Sequence, residues 1–162
     1  VFVVNSFSKY FNMTGWRLGW LVVPDGCVRD IEKLAQNLFI SPSAPAQYGA
    51  LAAFRPETLA ILEERRDEFR RRRDFLVPEL EKLGFRIPVK PEGAFYVYAD
   101  IGGLAEDGFE LAGRLIESAG VAATPGLDFG LNAPQRHMRF AYTVGRERLR
   151  EGLDRMARLL RP

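Results

Sequence analysis

Two short apolar runs near the amino end, separated by a polar turn, constrain the fold of this chain more than any other feature. They cover residues 1–5 and residues 18–23. Continuous apolar runs of this length are typical of strands that are covered on both faces, as in parallel α/β sheets. We therefore predict two buried strands, the second of which ends at Pro24-Asp25-Gly26.

The bulk composition of the 162 residues is that of an ordinary globular protein, with 47% hydrophobic and 27% charged residues. A net charge of +2 gives no argument for binding nucleic acid or a membrane surface. Cys27 is the single cysteine, so an internal disulfide is excluded and no metal site is expected. No stretch approaches the roughly 18 apolar residues of a membrane span. We expect a soluble, cytoplasmic protein.

Helical spacing of apolar residues dominates the middle of the chain. It predicts helices over residues 28–38 and 46–54, and a long helix that begins at Pro56. Pro78 removes one backbone donor, so we expect that helix to kink or restart there. A long helix of this kind is suited to connect two domains.

After Gly84 the pattern changes to short strands mixed with helices. Strands are predicted over residues 85–89, 93–101, 121–124 and 137–144. Helices are predicted over residues 109–119 and from Leu149 to Leu160.

Arginines cluster in residues 65–73 of the long helix, between acidic residues. A phosphate or nucleic-acid patch is one interpretation. The neighbouring carboxylates cancel most of the positive field, so a solvated helix face is the favoured one.

Lys9 is the candidate reactive residue, because it follows the first apolar run and a pair of serines. A lysine amine attacks carbonyls and forms Schiff bases, including with pyridoxal phosphate. Ser6, Ser8 and Arg17 supply hydroxyls and a guanidinium, which are suited to hold a phosphate dianion. On this chemistry alone, an ordinary surface lysine remains the alternative.

Ser6-Phe7-Ser8-Lys9 also fits the Ser-x-x-Lys pattern of penicillin-binding proteins and class A β-lactamases. That interpretation requires Ser-Asp-Asn and Lys-Thr-Gly partners, and neither tripeptide occurs in the chain. It also places the serine at the start of a helix, whereas here a strand is predicted to end at it.

The amino-terminal motif resembles the cofactor-lysine signature of class I and II aminotransferases. The resemblance rests on Ser6-Phe7-Ser8-Lys9 and on Met13-Thr14-Gly15-Trp16-Arg17-Leu18-Gly19. Further segments follow in the same order as in that family: residues 91–96, 121–130 and 137–142. The resemblance covers essentially the whole chain.

This resemblance implies an α/β protein, the carboxy-terminal part of the fold of pyridoxal-phosphate-dependent transferases. Residues 1–72 would form the end of the large cofactor-binding domain and the connecting helix. Residues 73–162 would form the small α+β domain.

The resemblance also implies roles for individual residues. Lys9 would form the Schiff base with pyridoxal phosphate and move the substrate's Cα proton. Ser6 and Arg17, and less directly Ser8, would bind the cofactor phosphate. Arg139 would bind the substrate's α-carboxylate. The expected reaction is amino transfer between an amino acid and a 2-oxo acid, in a homodimer.

The resemblance begins inside the family's large domain. We therefore expect a truncated chain that lacks the amino-terminal half, including the aspartate that pairs with the pyridine nitrogen. Such a chain would expose strand edges and apolar faces.

Two alternatives to transamination stay open. Lys9, Arg17 and Arg139 fit equally well with other chemistry on the same fold, such as a C–S β-lyase, a decarboxylase or a cyclopropane-forming synthase. An aminotransferase-like effector domain of a transcription regulator is the non-catalytic alternative.

Overall fold

The computed structural model describes residues 1–160, which contain five α-helices, five strands and four 3-10 helices of three residues each. The helices are α1 (Val28–Leu38), α2 (Ala44–Ala53), α3 (Pro56–Lys82), α4 (Gly108–Ala119) and α5 (Arg146–Leu160). The strands are β1 (Val3–Ser6), β2 (Gly19–Val22), β3 (Tyr96–Asp100), β4 (Thr124–Pro125) and β5 (His137–Ala141). This mixture of helix and sheet confirms the predicted α/β class.

Two compact units make up the chain, one over Val1–Arg66 and one that begins at Asp67. The division falls inside α3. The domain boundary inferred from the sequence, after residue 72, lies in the same helix and stays a prediction.

The first unit contains a two-stranded sheet of β1 and β2. The strands are antiparallel, with Val3 opposite Val22 and Ser6 opposite Gly19. The expectation of parallel strands buried on both faces was therefore wrong for this chain. Val4 is 77% exposed, and no third strand pairs with this sheet within residues 1–160. The expected exposure of apolar strand faces is thus observed.

The core of the first unit forms beneath the loop that joins the two strands. Phe7 and Met13 are buried there with Ala50 and Ala53 of α2. The Phe7 ring also lies 5.7 Å from that of Phe54, centroid to centroid, edge to face. Small residues on α2 let the apolar side chains of the loop pack closely against the helix.

Helix α3 continues through Pro78, so the restart that was one of the two expected outcomes does not occur. Pro78 lies on the exposed side of the helix, where water can bond the carbonyl that its missing N–H leaves unpaired. The opposite side is anchored, since Leu76, Val77 and Leu80 are buried in the core of the second unit.

The arginine run on α3 is paired with carboxylates along the helix. Arg66, Arg70 and Arg71 each make an ion pair with an acidic residue three positions earlier. The last two arginines of the run are not on a solvated face, contrary to the prediction. Arg72 and Arg73 have side chains only 19% and 15% exposed. They donate to the backbone carbonyls of Thr143 and Pro91 at 3.0 Å, which ties α3 to two loops of the second unit.

The second unit is built on a three-stranded antiparallel sheet in the order β3-β5-β4. Its core contains side chains of the sheet, α3, α4 and α5. The largest fully buried ones are Tyr142, Phe85, Leu80, Ile101, Leu111, Leu115, Met138 and Val97. The strand predicted over residues 85–89 was wrong, because only Arg86 forms a bridge there, with Asp100. Phe85 is buried as a single side chain rather than as part of a strand.

Asp100 fixes the end of β3. Its carboxylate accepts a hydrogen bond from Arg86 at 2.6 Å and one from the backbone N–H of Gly102 at 2.7 Å. Arg136 lies 3.8 Å away. Burial opposes ionisation, but the Gly102 hydrogen bond and the two guanidinium charges outweigh it, so the pKa of Asp100 lies below its ordinary value.

Gly126 occupies the tightest backbone position of the second unit's loops. A Cβ atom there would lie 2.3 Å from the Pro134 carbonyl oxygen and 2.6 Å from the Tyr98 hydroxyl. The His137 carbonyl oxygen would be 2.9 Å away. Two of these three atoms belong to the backbone, so they cannot move aside as a flexible side chain would. The loop after β4 therefore packs against β3 and β5 only with glycine at this position.

We expect Gly126→Ala to lower the free energy of unfolding by about 1–3 kcal/mol, the usual cost of overpacking a filled site. Gly152→Ala is the matched control, since a Cβ at Gly152 in α5 meets nothing within 4 Å. In that helix interior alanine should stabilise by up to about 1 kcal/mol. Urea denaturation of both variants measures the difference. Equal effects of the two substitutions would contradict the packing described for Gly126.

Candidate functional site

The loop between β1 and β2 carries Lys9 and is closed by backbone hydrogen bonds. The Phe7 N–H donates to the Leu18 carbonyl at 3.0 Å, which continues the strand pairing by one residue. The Met13 N–H donates to the Phe7 carbonyl at 3.1 Å and the Asn12 N–H to the Lys9 carbonyl at 3.0 Å. Lys9 thus begins a tight turn at the end of β1, with its side chain on the exposed surface.

The two serines before Lys9 are joined to the same turn. The Ser8 N–H donates to Ser6 Oγ at 3.0 Å, and Thr14 Oγ1 donates to the Ser8 carbonyl at 2.6 Å. The hydrogen atoms of both serine hydroxyls stay available to an external acceptor. Thr14 therefore shapes the turn, a role that the sequence analysis did not assign to it.

Arg17 lies at the far end of the loop, with a left-handed backbone (φ 52°). Its Nη1 donates to the Thr14 carbonyl at 2.8 Å, and its remaining donors make no hydrogen bond to residues 1–160. Arg17 lines a cleft of about 460 Å³. The other lining residues are Asn12, Gly15, Trp16, Ser43, Pro45 and Ala46. The contribution of the first turn of α2 to this cleft was missed, because it depends on how the loop packs on that helix.

Gly19 allows the two ends of the loop to meet. A Cβ at this position would lie 2.5 Å from the Asn5 carbonyl oxygen on β1, closer than real Cβ contacts allow. The close pairing of Ser6 with Gly19 therefore holds Ser6, Lys9 and Arg17 on one short loop.

Tyr10 fastens this loop to α3. Its hydroxyl donates to Glu63 Oε1 at 2.5 Å, and Glu63 also pairs with Arg66 at 2.7 Å. The hydrogen bond to Glu63, followed by burial and by the charge of that carboxylate, raises the pKa of Tyr10 above its ordinary value. No sequence signal indicates this contact, since 53 positions separate its two residues.

Arg139 belongs to the second unit, in the middle of β5. It lies opposite Tyr98 on β3 and opposite Thr124 on β4. Its guanidinium carbon lies 4.5 Å from the centroid of the Phe129 ring and 5.3 Å from that of the Tyr96 ring. The side chain is half-buried.

Within residues 1–160, the Arg139 guanidinium makes no ion pair and no hydrogen bond. Other half-buried arginines of the same unit, Arg72 and Arg73, each bond a carboxylate and a backbone carbonyl. A guanidinium with aromatic neighbours and unused N–H groups can donate two parallel hydrogen bonds to a planar carboxylate.

His137 packs next to this region. Its Nδ1 lies 2.9 Å from the Ala133 carbonyl oxygen. Its ring stacks on that of Tyr98 at 4.9 Å with an interplanar angle of 4°. These contacts connect the loop before β5 to β3, so they are structural.

No group of three or more His, Cys, Asp or Glu residues within residues 1–160 is placed to hold a metal ion. None of the helices in the same range is long and apolar enough to cross a membrane.

Comparison with known families gives one description over nearly the full length of the chain. Residues 1–156 match the family described as aminotransferase class I and II. The chain is 39% identical over 158 residues to a (5-formylfuran-3-yl)methyl phosphate transaminase of Methanocaldococcus jannaschii. It is 40% identical over 159 residues to an aspartate/prephenate aminotransferase of Thermus thermophilus. The alignments cover 98% and 97% of this chain but only 41% and 40% of those relatives.

A solved structure gives the same result for the fold. The crystal structure of an aminotransferase from Mycobacterium tuberculosis superposes with a TM-score of 0.93 at 36% identity. The superposition covers 98% of this chain and 41% of that one. The chain thus spans about two fifths of the length of the proteins it matches.

We expect Tyr10 to ionise at higher pH than an ordinary tyrosine because deprotonation would break its hydrogen bond to Glu63 and place two negative charges side by side. The difference between the absorbance titrations of wild type and Tyr10→Phe at 295 nm isolates the ionisation of the Tyr10 hydroxyl. Glu63→Gln should move that transition to lower pH. An unmoved Tyr10 transition in Glu63→Gln would contradict the contact.

Proposed function

Because this chain belongs to the class I and II aminotransferase family, we propose that it forms part of a pyridoxal-phosphate-dependent aminotransferase. The enzyme would transfer an amino group between an amino acid and a 2-oxo acid. The single observation that carries the proposal is the closed loop in which Ser6, Ser8, Lys9 and Arg17 lie together, in the order of the family's cofactor motif.

The residues of this loop fit the phosphate end of the cofactor. A phosphate dianion requires several hydrogen-bond donors and a positive charge close together. Ser6 and Ser8 retain hydroxyl hydrogens, and Arg17 spends one donor on Thr14 and keeps the others. The exposed Lys9 amine on the same turn is the carbonyl-reactive group.

When bound, pyridoxal phosphate supplies an aldehyde for the amino group and a ring that takes up the electrons of a broken Cα–H bond. In the proposed mechanism, the Lys9 amine holds the cofactor and then acts as the general base that removes the Cα proton. Its Nζ can return that proton within the same site. The loop's hydrogen bonds hold Lys9 near the phosphate-binding group without further rearrangement.

We propose that Arg139 binds the substrate's α-carboxylate. A bidentate pair would fix both carboxylate oxygens and thereby the orientation of the remaining bonds at Cα. Within residues 1–160 the Arg139 guanidinium makes no hydrogen bond, and the residue lies on the central strand of a three-stranded sheet. Both observations support this role. The sheet supplies a rigid base, so the carboxylate would be held in one place.

The names of the relatives include transaminases acting on different compounds, a furan phosphate in one case and aspartate or prephenate in another. We therefore propose the reaction class and no particular amino acid. A homodimer and a cytoplasmic location complete the proposal as predictions from the family resemblance.

Cofactor attachment is tested on the product of the complete reading frame that carries this chain. Incubation with pyridoxal phosphate and reduction with sodium borohydride should add the cofactor's mass to the peptide that contains Lys9. Lys33, an exposed lysine of α1 paired with Asp30, is the control for non-specific labelling. Equal labelling of Lys9 and Lys33 would contradict the proposal.

The contribution of Arg17 to phosphate binding is tested by comparing pyridoxal phosphate with pyridoxal. Arg17→Gln should lower the affinity for pyridoxal phosphate by about 10-fold or more, the loss of one charge-assisted interaction. Labelling of Lys9 by pyridoxal, which has no phosphate, should be the same in wild type and variant. If Arg17→Gln weakened the reaction with pyridoxal phosphate and with pyridoxal equally, the substitution would have damaged the loop rather than removed a phosphate contact.

The reaction class is tested with the same protein and single L-amino acids. Transamination predicts that each productive amino acid yields its 2-oxo acid and leaves the cofactor with an amino group, in a ratio of about 1:1. A C–S β-lyase would instead release pyruvate, ammonia and a thiol from cysteine conjugates, with the cofactor unchanged. A regulator domain would bind an amino acid with no product. Either of these results would overturn the proposed reaction.

A further inference from the structure

The Arg139 guanidinium is held by two aromatic rings rather than by an acid. We call Tyr96 and Phe129 together the aromatic clamp. Their ring centroids lie 5.3 Å and 4.5 Å from the guanidinium carbon, within the range in which a cation is attracted by a ring face. Within the described residues, these two rings are the cation–π partners of Arg139.

Each ring of the clamp is fixed by a different part of the second unit. Tyr96 lies on β3, two positions before Tyr98, the direct partner of Arg139 on β5. Residues two apart share one face of a strand, so Tyr96 and Arg139 are diagonal neighbours. The position of the first ring therefore follows from the register of the sheet.

Phe129 is held by the loop that follows β4. Its N–H donates to the Gly126 carbonyl at 2.9 Å, and Gly126 is packed against Pro134 and Tyr98. The Tyr98 ring meets the Phe129 ring edge to face at 6.2 Å. The position of the second ring thus depends on the tightest turn of the unit, although Phe129 itself is 42% exposed.

Two aromatic rings leave the N–H donors of Arg139 available, which a salt bridge would not. A neighbouring carboxylate would occupy the N–H donors of Arg139, and a substrate carboxylate would have to displace it. Aromatic faces attract the positive charge and occupy none of the five donors. Arg136, in contrast, lies 3.8 Å from the carboxylate of Asp100.

We propose that the aromatic clamp positions the Arg139 guanidinium for a substrate carboxylate, with Phe129 and Tyr96 as positioning residues. This inference rests on the carboxylate-binding role proposed for Arg139 above. The clamp favours carboxylate binding by ordering the side chain in advance, so that less conformational freedom is lost when the substrate binds.

The test uses the cofactor-loaded product of the complete reading frame. Its probes are the L-amino acid with the highest rate in the transamination assay and the carboxamide of that amino acid, which has no negative carboxylate. Phe129→Leu keeps an apolar side chain and removes the ring. It should raise the KM for the amino acid by about 2- to 30-fold, as for loss of a cation–π contact, with a smaller change in kcat.

Three comparisons separate positioning from general damage. Kinetics with the carboxamide should be unchanged in Phe129→Leu, and Phe129→Tyr should restore the KM for the amino acid to within about 2-fold, since it keeps the ring. Phe109→Leu is the matched control, because it makes the same change at a ring on α4 that is 67% exposed and lies outside the clamp. It should leave both substrates unaffected.

Arg139→Gln distinguishes the two proposals. Selective loss of amino-acid over carboxamide turnover in this variant, with no effect of Phe129→Leu, would overturn the clamp and leave the role of Arg139 intact. Equal loss of both substrates, or no loss, would overturn the carboxylate role of Arg139 and the clamp with it.

A measurement on the wild-type chain needs no folded variant of Phe129. Side-chain protons of Arg139 that lie over two ring faces should resonate upfield of those of an exposed arginine. The Arg139→Gln spectrum assigns them by the signals that disappear. Signals without an upfield shift would show that the rings do not hold the guanidinium and would overturn the proposal.

Discussion

The burial of Phe7 is the interaction on which the candidate cofactor loop depends. This ring lies under the turn that carries Lys9 and contacts Phe11, Trp20 and Phe54 at centroid distances of 4.8–5.7 Å. Its backbone also closes the loop, since its N–H and carbonyl bond Leu18 and Met13. One buried residue therefore fixes both ends of a segment whose functional side chains face solvent. The candidate residues on either side of Phe7 can face solvent because Phe7 between them is buried.

The same division occurs in the second unit, where β5 alternates between core and site. Met138 and Phe140 are buried, and Arg139 between them is turned to the other face. The core side chains determine the register of the strand, and the register places Arg139 beside Tyr96 and opposite Tyr98. Stability and the candidate chemistry thus use opposite faces of one strand, so the charged face adds no unpaired group to the core.

The predictions from sequence succeeded where local pattern decides structure. All five helices were located, because their apolar spacing and turn residues are local signals. The strands were located less well. Residues 85–89 are apolar enough for a strand but make a single bridge, because pairing depends on a partner elsewhere in the chain. The burial of β1 and β2 was also misjudged, since composition indicates that a strand is apolar and gives no information on which strands cover it.

For the candidate site, the sequence by itself determined which residues are candidates. The order of serine, lysine and arginine around a glycine-containing turn, and the family resemblance that it carries, identified Lys9, Ser6, Ser8, Arg17 and Arg139 as candidates. Only the tertiary structure decided what surrounds them. Tyr10 bonds Glu63, and the Phe129 ring lies beside Arg139, although each pair is distant in sequence. Thr14 bonds Ser8 within the motif itself, where the order of residues does not indicate the contact. The physical reason is that reactivity depends on residue type, which the sequence states. Orientation and pKa depend on packing between elements, which becomes definite only when the chain is folded.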